Sequence, residues 1–224
     1  MLRILAEEPT VLEQPPDRKT IAKIARQSLD EIGSWVNLPL KDGTVFSWHV
    51  VRPNDAIAHF CSTSEAFKRL VEGTVAKGPG VWTLIYYEDE FTPGNLLKQD
   101  NKRKTNAIYM SVQEFEATAL HHESVWVPCG FFRRVIVNDM VGGMSAVVRH
   151  FLRAVLLGDG GFEIGGCFLD CTPPQVRTAV LGAMICDGDA HRQSADLNGA
   201  AGTRCCFKCT EIVSDMAIVR ADPT

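Results

Sequence analysis

The stretch that most constrains this chain is Thr83 to Asn95, TLIYYEDEFTPGN. Trp82, Leu84, Ile85, Tyr86 and Tyr87 form a short apolar and aromatic run with no helical period, which reads as a strand buried on both faces. The run enters the acidic triplet Glu88-Asp89-Glu90 and stops at Pro93-Gly94, a turn signal. A carboxylate at the end of a central strand is held in place by the sheet. It is also the ligand type that Mg²⁺ prefers. The competing reading of the triplet is an exposed acidic turn after a strand.

The length allows one good core, or a domain with a helical extension. A formal net charge of −4 gives no global signature of nucleic-acid binding, so any such binding must use local patches. Two are visible: Lys98, Lys102, Arg103 and Lys104 after the triplet, and Arg133-Arg134 before an apolar run. Each also reads as a solvated face. The first twenty residues carry Arg3, Glu7 and Glu8 and no long apolar stretch, so no secretory signal is expected. Ala146 to Leu157 is interrupted by Arg149, His150 and Arg153 and is too short and too charged to cross a bilayer. Eight cysteines without a secretory signal point to a reducing compartment, with thiols free or bound to metal.

Taken in order, residues 1–16 read as a loose arm closed by Pro15-Pro16. Asp17 can cap a helix from Arg18 whose apolar face is Ile21, Ile24, Ala25, Leu29, Ile32 and Trp35. A turn at Lys41-Asp42-Gly43 precedes a strand over Val45 to Val51. Helices are predicted over Asn54 to Phe60 and Ser64 to Glu72, the second capped by Ser62 or Ser64. This makes residues 17–75 a small, mainly helical N-terminal region, with Gly73 to Gly80 as the best boundary. His59 and Cys61 lack the spacing of a zinc site and read as core or rim residues.

Beyond the boundary the pattern predicts strands over Val81 to Tyr87 and Asn106 to Val112, a short helix over Glu114 to Leu120, and extended runs over Trp126 to Cys129 and Arg134 to Asn138. Ser145 is expected to cap a helix running to Leu157, with Val147, Val148, Phe151, Leu152 and Val155 buried. Phe162 to Leu169 and Val176 to Cys186 read as strands, the second ending at Asp187 with Asp189 close behind. The sum is a mixed α/β sheet.

Asp89 and Asp187 each end a strand. If those strands are neighbours, the two carboxylates can share a divalent ion, as metal-assisted phosphoryl transfer requires. Glu88, Glu90 and Asp189 could substitute or assist. Like charges held that close repel without metal. A second constellation is Cys206-x-x-Cys209 after a Gly-rich loop, half of a zinc site. His191, Cys167 or Cys171 could complete it; a redox pair and unliganded thiols are the rival readings. His121-His122 near Glu123, with Cys129 downstream, lacks the orienting third group of a nucleophile site.

The segment YYEDEFTPGNLLKQDNKRKTNAIYMSVQEF resembles the first catalytic block of DDE-type transposases of the Plavaka and Kyakuja–Dileera–Zisupton kind, and ICDGDAHRQSADLNGAAGTRCCFKC is similar to their second block. The resemblance covers roughly Trp48 to Val213. It implies a partial RNase H-like core over residues 76–198, Mg²⁺ or Mn²⁺ as cofactor, DNA as partner, strand cleavage and joining as the ancestral reaction, and action in the nucleus. Carried over by position, Asp89 and Asp187 are the first and second metal ligands, and Cys206 and Cys209 open a zinc-knuckle-like insertion over residues 199–224, cut short here. The family's third acid lies far beyond the CxxC, whereas this chain stops at Thr224; Glu211 and Asp215 are too close to the CxxC to replace it. Gly188 stands where relatives often have a second acid.

The expectation is therefore a fragment or a decayed copy, without strand-transfer activity on its own. A non-catalytic nucleic-acid-binding module with the same fold, and an unrelated cytosolic α/β protein, are the alternatives. A homo-oligomer is open and a membrane partner is not expected.

Overall fold

The run that begins at Val81 takes the extended form its composition favours, but it does not stop where the acids begin. The first long strand of the central sheet, β3, spans Val81–Phe91, so Glu88, Asp89 and Glu90 lie within it and not in a turn after it. The structure, a computed structural model, describes residues 32–78, 80–92, 104–171 and 173–195. The strand continues because its partner does: β4 (Thr105–Val112) pairs antiparallel with it as far as Phe91 opposite Thr105. Lys104 meets the Glu90 charge there at 2.6 Å.

Among the described residues the central sheet has the order β5-β4-β3-β7-β6. β5 (Val127–Arg133) runs antiparallel to β4, which makes β3, β4 and β5 an antiparallel meander. β7 (Gln175–Cys186) returns parallel to β3, and the short β6 (Cys167–Leu169) pairs antiparallel with β7 at the edge. Parallel neighbours need a crossover. After the short helix α3 (Glu116–Leu120) between β4 and β5, it is supplied by α4 (Arg134–Asp139), α5 (Gly143–Leu152) and a wider π-helical turn over Arg153–Leu157.

A separate hairpin, β1 (Gly33–Pro39) with β2 (Val45–Val51), precedes the sheet. Two helices follow it, α1 (Pro53–Thr63) and α2 (Glu65–Lys77). Pro53 opens α1, where its missing N–H costs nothing. Ser64 accepts a bond from the Phe67 N–H and caps α2, as the sequence predicts. The hairpin, the helices and one face of the sheet contribute to a single apolar cluster. At its centre the Trp48 ring meets Phe132 edge-on at 5.2 Å and Phe151 at 5.9 Å. Gly130 makes this possible, because any Cβ at that position would run into the Trp48 ring.

Period-two alternation along β3 sorts its residues. Trp82, Leu84 and Tyr86 are fully buried against α5 and its neighbours, Tyr86 lying 6.2 Å from Phe151. Ile85, Tyr87, Asp89 and Phe91 face the opposite way, where Phe91 and Phe131 stay half-exposed.

Several expectations are corrected. Trp35 is not on a helical face: it sits in β1, opposite His49, its ring 4.9 Å from the imidazole. The helix predicted over Ser64 to Glu72 continues to Lys77, through Gly73 and most of the stretch read as a boundary. Arg134 to Asn138 is helical, despite its β-branched residues. The Arg134 N–H bonds the Lys104 carbonyl at 2.9 Å as the last link to β4, and the chain then coils to bury Val137. Ser145 does not cap α5; Gly142, at φ 82°, starts the helix earlier, and the Ser145 hydroxyl donates back to the Gly142 carbonyl. Phe162 to Leu169 is mostly turns, bent by Gly160 and Gly166 at φ 71° and 70°, with extended structure only from Cys167. Residues 1–31, which hold the predicted arm and first helix, lie outside the described residues.

Candidate functional site

β3 and β7 run side by side in the same direction; β7 ends at Cys186, while β3 continues past it to Phe91. Glu88 is opposite Cys186 in the register, and one position further on come Asp89 and Asp187. Asp89, within β3, and Asp187, the residue after β7, thus come to the same rim of the sheet. Both are exposed. Tyr87, on the same face as Asp89, senses both of them. Its phenol is pushed above its usual range first by burial, then by the Asp89 charge and the hydrogen bond to it, with Asp187 adding to the effect. The phenol of Tyr109 is likewise raised by burial and by Asp89.

Asp187 has a second task. Its Oδ1 accepts the Ala190 N–H at 2.6 Å, which caps the helix that follows, α6 (Gly188–Ser194). One carboxylate oxygen is thereby committed to the fold.

Glu88 takes the inward direction. It is 1% exposed, on the face occupied by Tyr86. Its Oε2 accepts from the Tyr86 hydroxyl and from the Ser194 hydroxyl, each at 2.9 Å, and its Oε1 accepts from Asn106 Nδ2 at 3.2 Å. Burial pushes its carboxyl above the ordinary glutamate range, opposed by these three bonds and by the charge of Arg134. The Tyr86 phenol is raised in turn, by burial first and then by Glu88. The Cys186 thiol is raised by burial, then by Glu88 and Asp187. Glu88 is therefore a tie between sheet and α6 and does not stand in for either aspartate. Glu90 is held by Lys104 at 2.6 Å and approached by Arg134 at 3.9 Å. Lys104, predicted as part of a nucleic-acid patch, thus has an acidic partner.

The outer face beside Asp89 is aromatic. Phe91, Phe131, Tyr109, Tyr87 and Trp126 follow one another at centroid distances of 6.4, 6.2, 5.9 and 5.9 Å. Sequence reading missed this row, and it missed Asn106 and Ser194 as partners of Glu88. Only the Tyr86–Glu88 pairing had a local signal, since residues two apart on a strand share a face.

Two carboxylates with acceptor capacity to spare fit the sparse form of Mg²⁺ binding, in which water and substrate phosphate complete the shell. Among the described residues no group of three or more His, Cys, Asp or Glu side chains is placed to hold a metal ion. Lys98, Lys102, Arg103, Cys206 and Cys209 lie outside the described residues. Cys167 and Cys171, weighed as further zinc ligands, are buried at the β6 edge, where the Cys167 thiol donates to the Asn54 carbonyl and the Cys171 thiol to that of Pro173. Cys129 is fully buried, and burial raises its thiol far above the usual range. No helix among the described residues is long and apolar enough to cross a membrane. Comparison with known proteins finds no family model and no curated protein that matches this chain.

Proposed function

We propose that this chain is a partial RNase H-like core of DDE-transposase type, built to hold a divalent ion at Asp89 and Asp187 and to act on DNA. The observation that supports the reading is the parallel pairing of β3 with β7, which ends at Glu88 opposite Cys186, with Asp89 and Asp187 the next residue on each side. An antiparallel meander followed by a parallel strand beside its first member is the arrangement this reading requires. Mg²⁺ or Mn²⁺ held there would supply Lewis-acid polarisation of a phosphoryl oxygen. The chain's own contribution is to position the two carboxylates. The sheet fixes Asp89, and the Ala190 N–H fixes one oxygen of Asp187 while leaving the other available. The CxxC would add a zinc site.

A second reading, a nucleic-acid-binding module without chemistry, is favoured by that same capping bond, which gives Asp187 a structural reason to be acidic. Mn²⁺ titration of the full chain, followed by calorimetry and by electron paramagnetic resonance, separates the two. The catalytic reading expects one site, lost in Asp89→Asn and in Asp187→Asn while both variants stay folded. Binding that ignores both substitutions, or no binding, refutes it. DNA affinity that falls steeply with salt but ignores both substitutions identifies the binding module.

A further inference from the structure

A second feature is walled in part by α6 and uses neither aspartate. An open groove of about 540 Å³ is walled by the β1–β2 turn (Lys41), α4 (Arg134, Asn138), the start of α5 (Gly142, Gly143) and α6 (Arg192). Three segments far apart in sequence, around Lys41, Arg134–Met144 and Arg192, meet there, and all the charged side chains that line the groove are cationic. In a chain of formal net charge −4 that is a local reversal of sign. Two of the three cations are also anchored. Lys41 Nζ donates to the Asn138 carbonyl at 2.6 Å, and the Arg134 guanidinium stands 3.9 Å from Glu90. Side chains tethered this way lose less freedom on meeting a ligand.

The backbone adds to the same sign. α5 begins into the groove through Gly142 and Gly143, at φ 82° and 56°, and no side chain caps it. A Cβ on Gly143 would meet nothing within 4 Å, so the space before the helix end is open. The positive end of a helix dipole adds to the attraction exerted by the three cations. A volume of this size exceeds a single phosphate and falls in the range of small-ligand sites.

We propose that this groove binds phosphoryl oxyanions, with Lys41, Arg134 and Arg192 as the charge partners of two neighbouring phosphoryl groups. The diphosphate of a free nucleotide and successive phosphodiesters of a polynucleotide backbone share this chemistry. The site does not rest on the metal-binding reading above, and its failure would leave that reading standing.

The test is calorimetric titration of the full chain at low salt with inorganic pyrophosphate and, separately, with an oligothymidylate. Lys41→Gln is compared with Lys77→Gln, an equal change of net charge at an exposed residue outside the groove. Saturable binding is expected for at least one probe, weakened about tenfold by Lys41→Gln and unchanged by Lys77→Gln. Lys41→Arg restores it, which separates loss of charge from loss of fold. Pyrophosphate binding alone identifies a compact diphosphate ligand, and oligothymidylate binding alone identifies a polynucleotide backbone. Absence of saturable binding to both probes overturns the proposal, as does equal weakening by Lys41→Gln and Lys77→Gln, the mark of diffuse charge attraction.

Discussion

Replacing Glu88 by Gln removes a buried charge while leaving the hydrogen-bond count intact. The glutamine carbonyl, placed where Oε2 stands, keeps the bonds from the Tyr86 and Ser194 hydroxyls, each now 2.9 Å long. Its amide takes the place of Oε1, and the Asn106 amide turns over to accept from it. The Asn106 Oδ1, buried without a partner in the present arrangement, then gains one, while its Nδ2 turns into the unpartnered position. The number of unsatisfied groups is thus unchanged, and the benefit comes from removing the buried charge. Glu88→Gln is therefore expected to be at least as stable as the parent at neutral pH. Glu88→Ala strands three buried donors at about 1 kcal/mol each, partly offset by the lost charge burial, for a net cost of about 1–3 kcal/mol.

The difference between parent and Gln variant also depends on pH. Burial raises the Glu88 carboxyl in the fold above its ordinary 4.5, so the folded state holds that proton more tightly than the unfolded chain does. The stability this proton contributes is complete below the unfolded value and is lost as pH rises through the folded value. Gln has no such loss, so its advantage grows across that window and then levels off. Urea unfolding followed by tryptophan fluorescence, from about pH 4.5 to about pH 8, measures both quantities. A Gln variant as unstable as the Ala variant would refute the hydrogen-bond argument. An advantage that does not vary with pH would refute the assignment of a raised carboxyl.

Three further outcomes follow from single contacts. Asp187→Ala removes the cap of α6 and costs about 1 kcal/mol in the same assay, whereas Asp187→Asn retains most of that stability. Gly130→Ala forces a methyl into the Trp48 ring and costs about 1–3 kcal/mol, measured as a lowered melting temperature. The Cys61 thiol is pushed up to about 12, by burial first and then by the nearby Cys171, so at pH 8 only about one molecule in ten thousand carries the thiolate. Among the cysteines of the described residues, Ellman's reagent is expected to modify the partly exposed Cys186 first, and Cys61, Cys129 and Cys167 only once urea unfolds the chain.

Strands with a strong local pattern are legible in the sequence. Val45 to Val51 is a strand with those very ends, and Asn106 to Val112 and Val176 to Cys186 gain a single residue at the N-terminal end. Helix α2 was legible from its serine cap. Segments whose local preference is overridden were not. Arg134 to Asn138 has strand-forming side chains but loses its partner strand at Lys104, and burying Val137 favours a coil of helix instead. Phe162 to Leu169 has an apolar content that suits a strand, but the surrounding glycines bend it back on the π-helical turn, where the Phe162 N–H bonds the Val155 carbonyl.

At the rim of the sheet the division is sharper. Sequence alone determined that a strand runs into three acids and that a second strand ends in another, because strand formation and alternation are local properties of the side chains. It could not determine which of three consecutive acids is buried, since that depends on which part of which face α5 and α6 cover. Nor could it supply the partners of Glu88, one of which, Ser194, is 106 residues away. Tertiary structure alone decided that β3 and β7 lie parallel and in register, because strand pairing at that separation is set by the shared core beneath them and not by any preference within either strand.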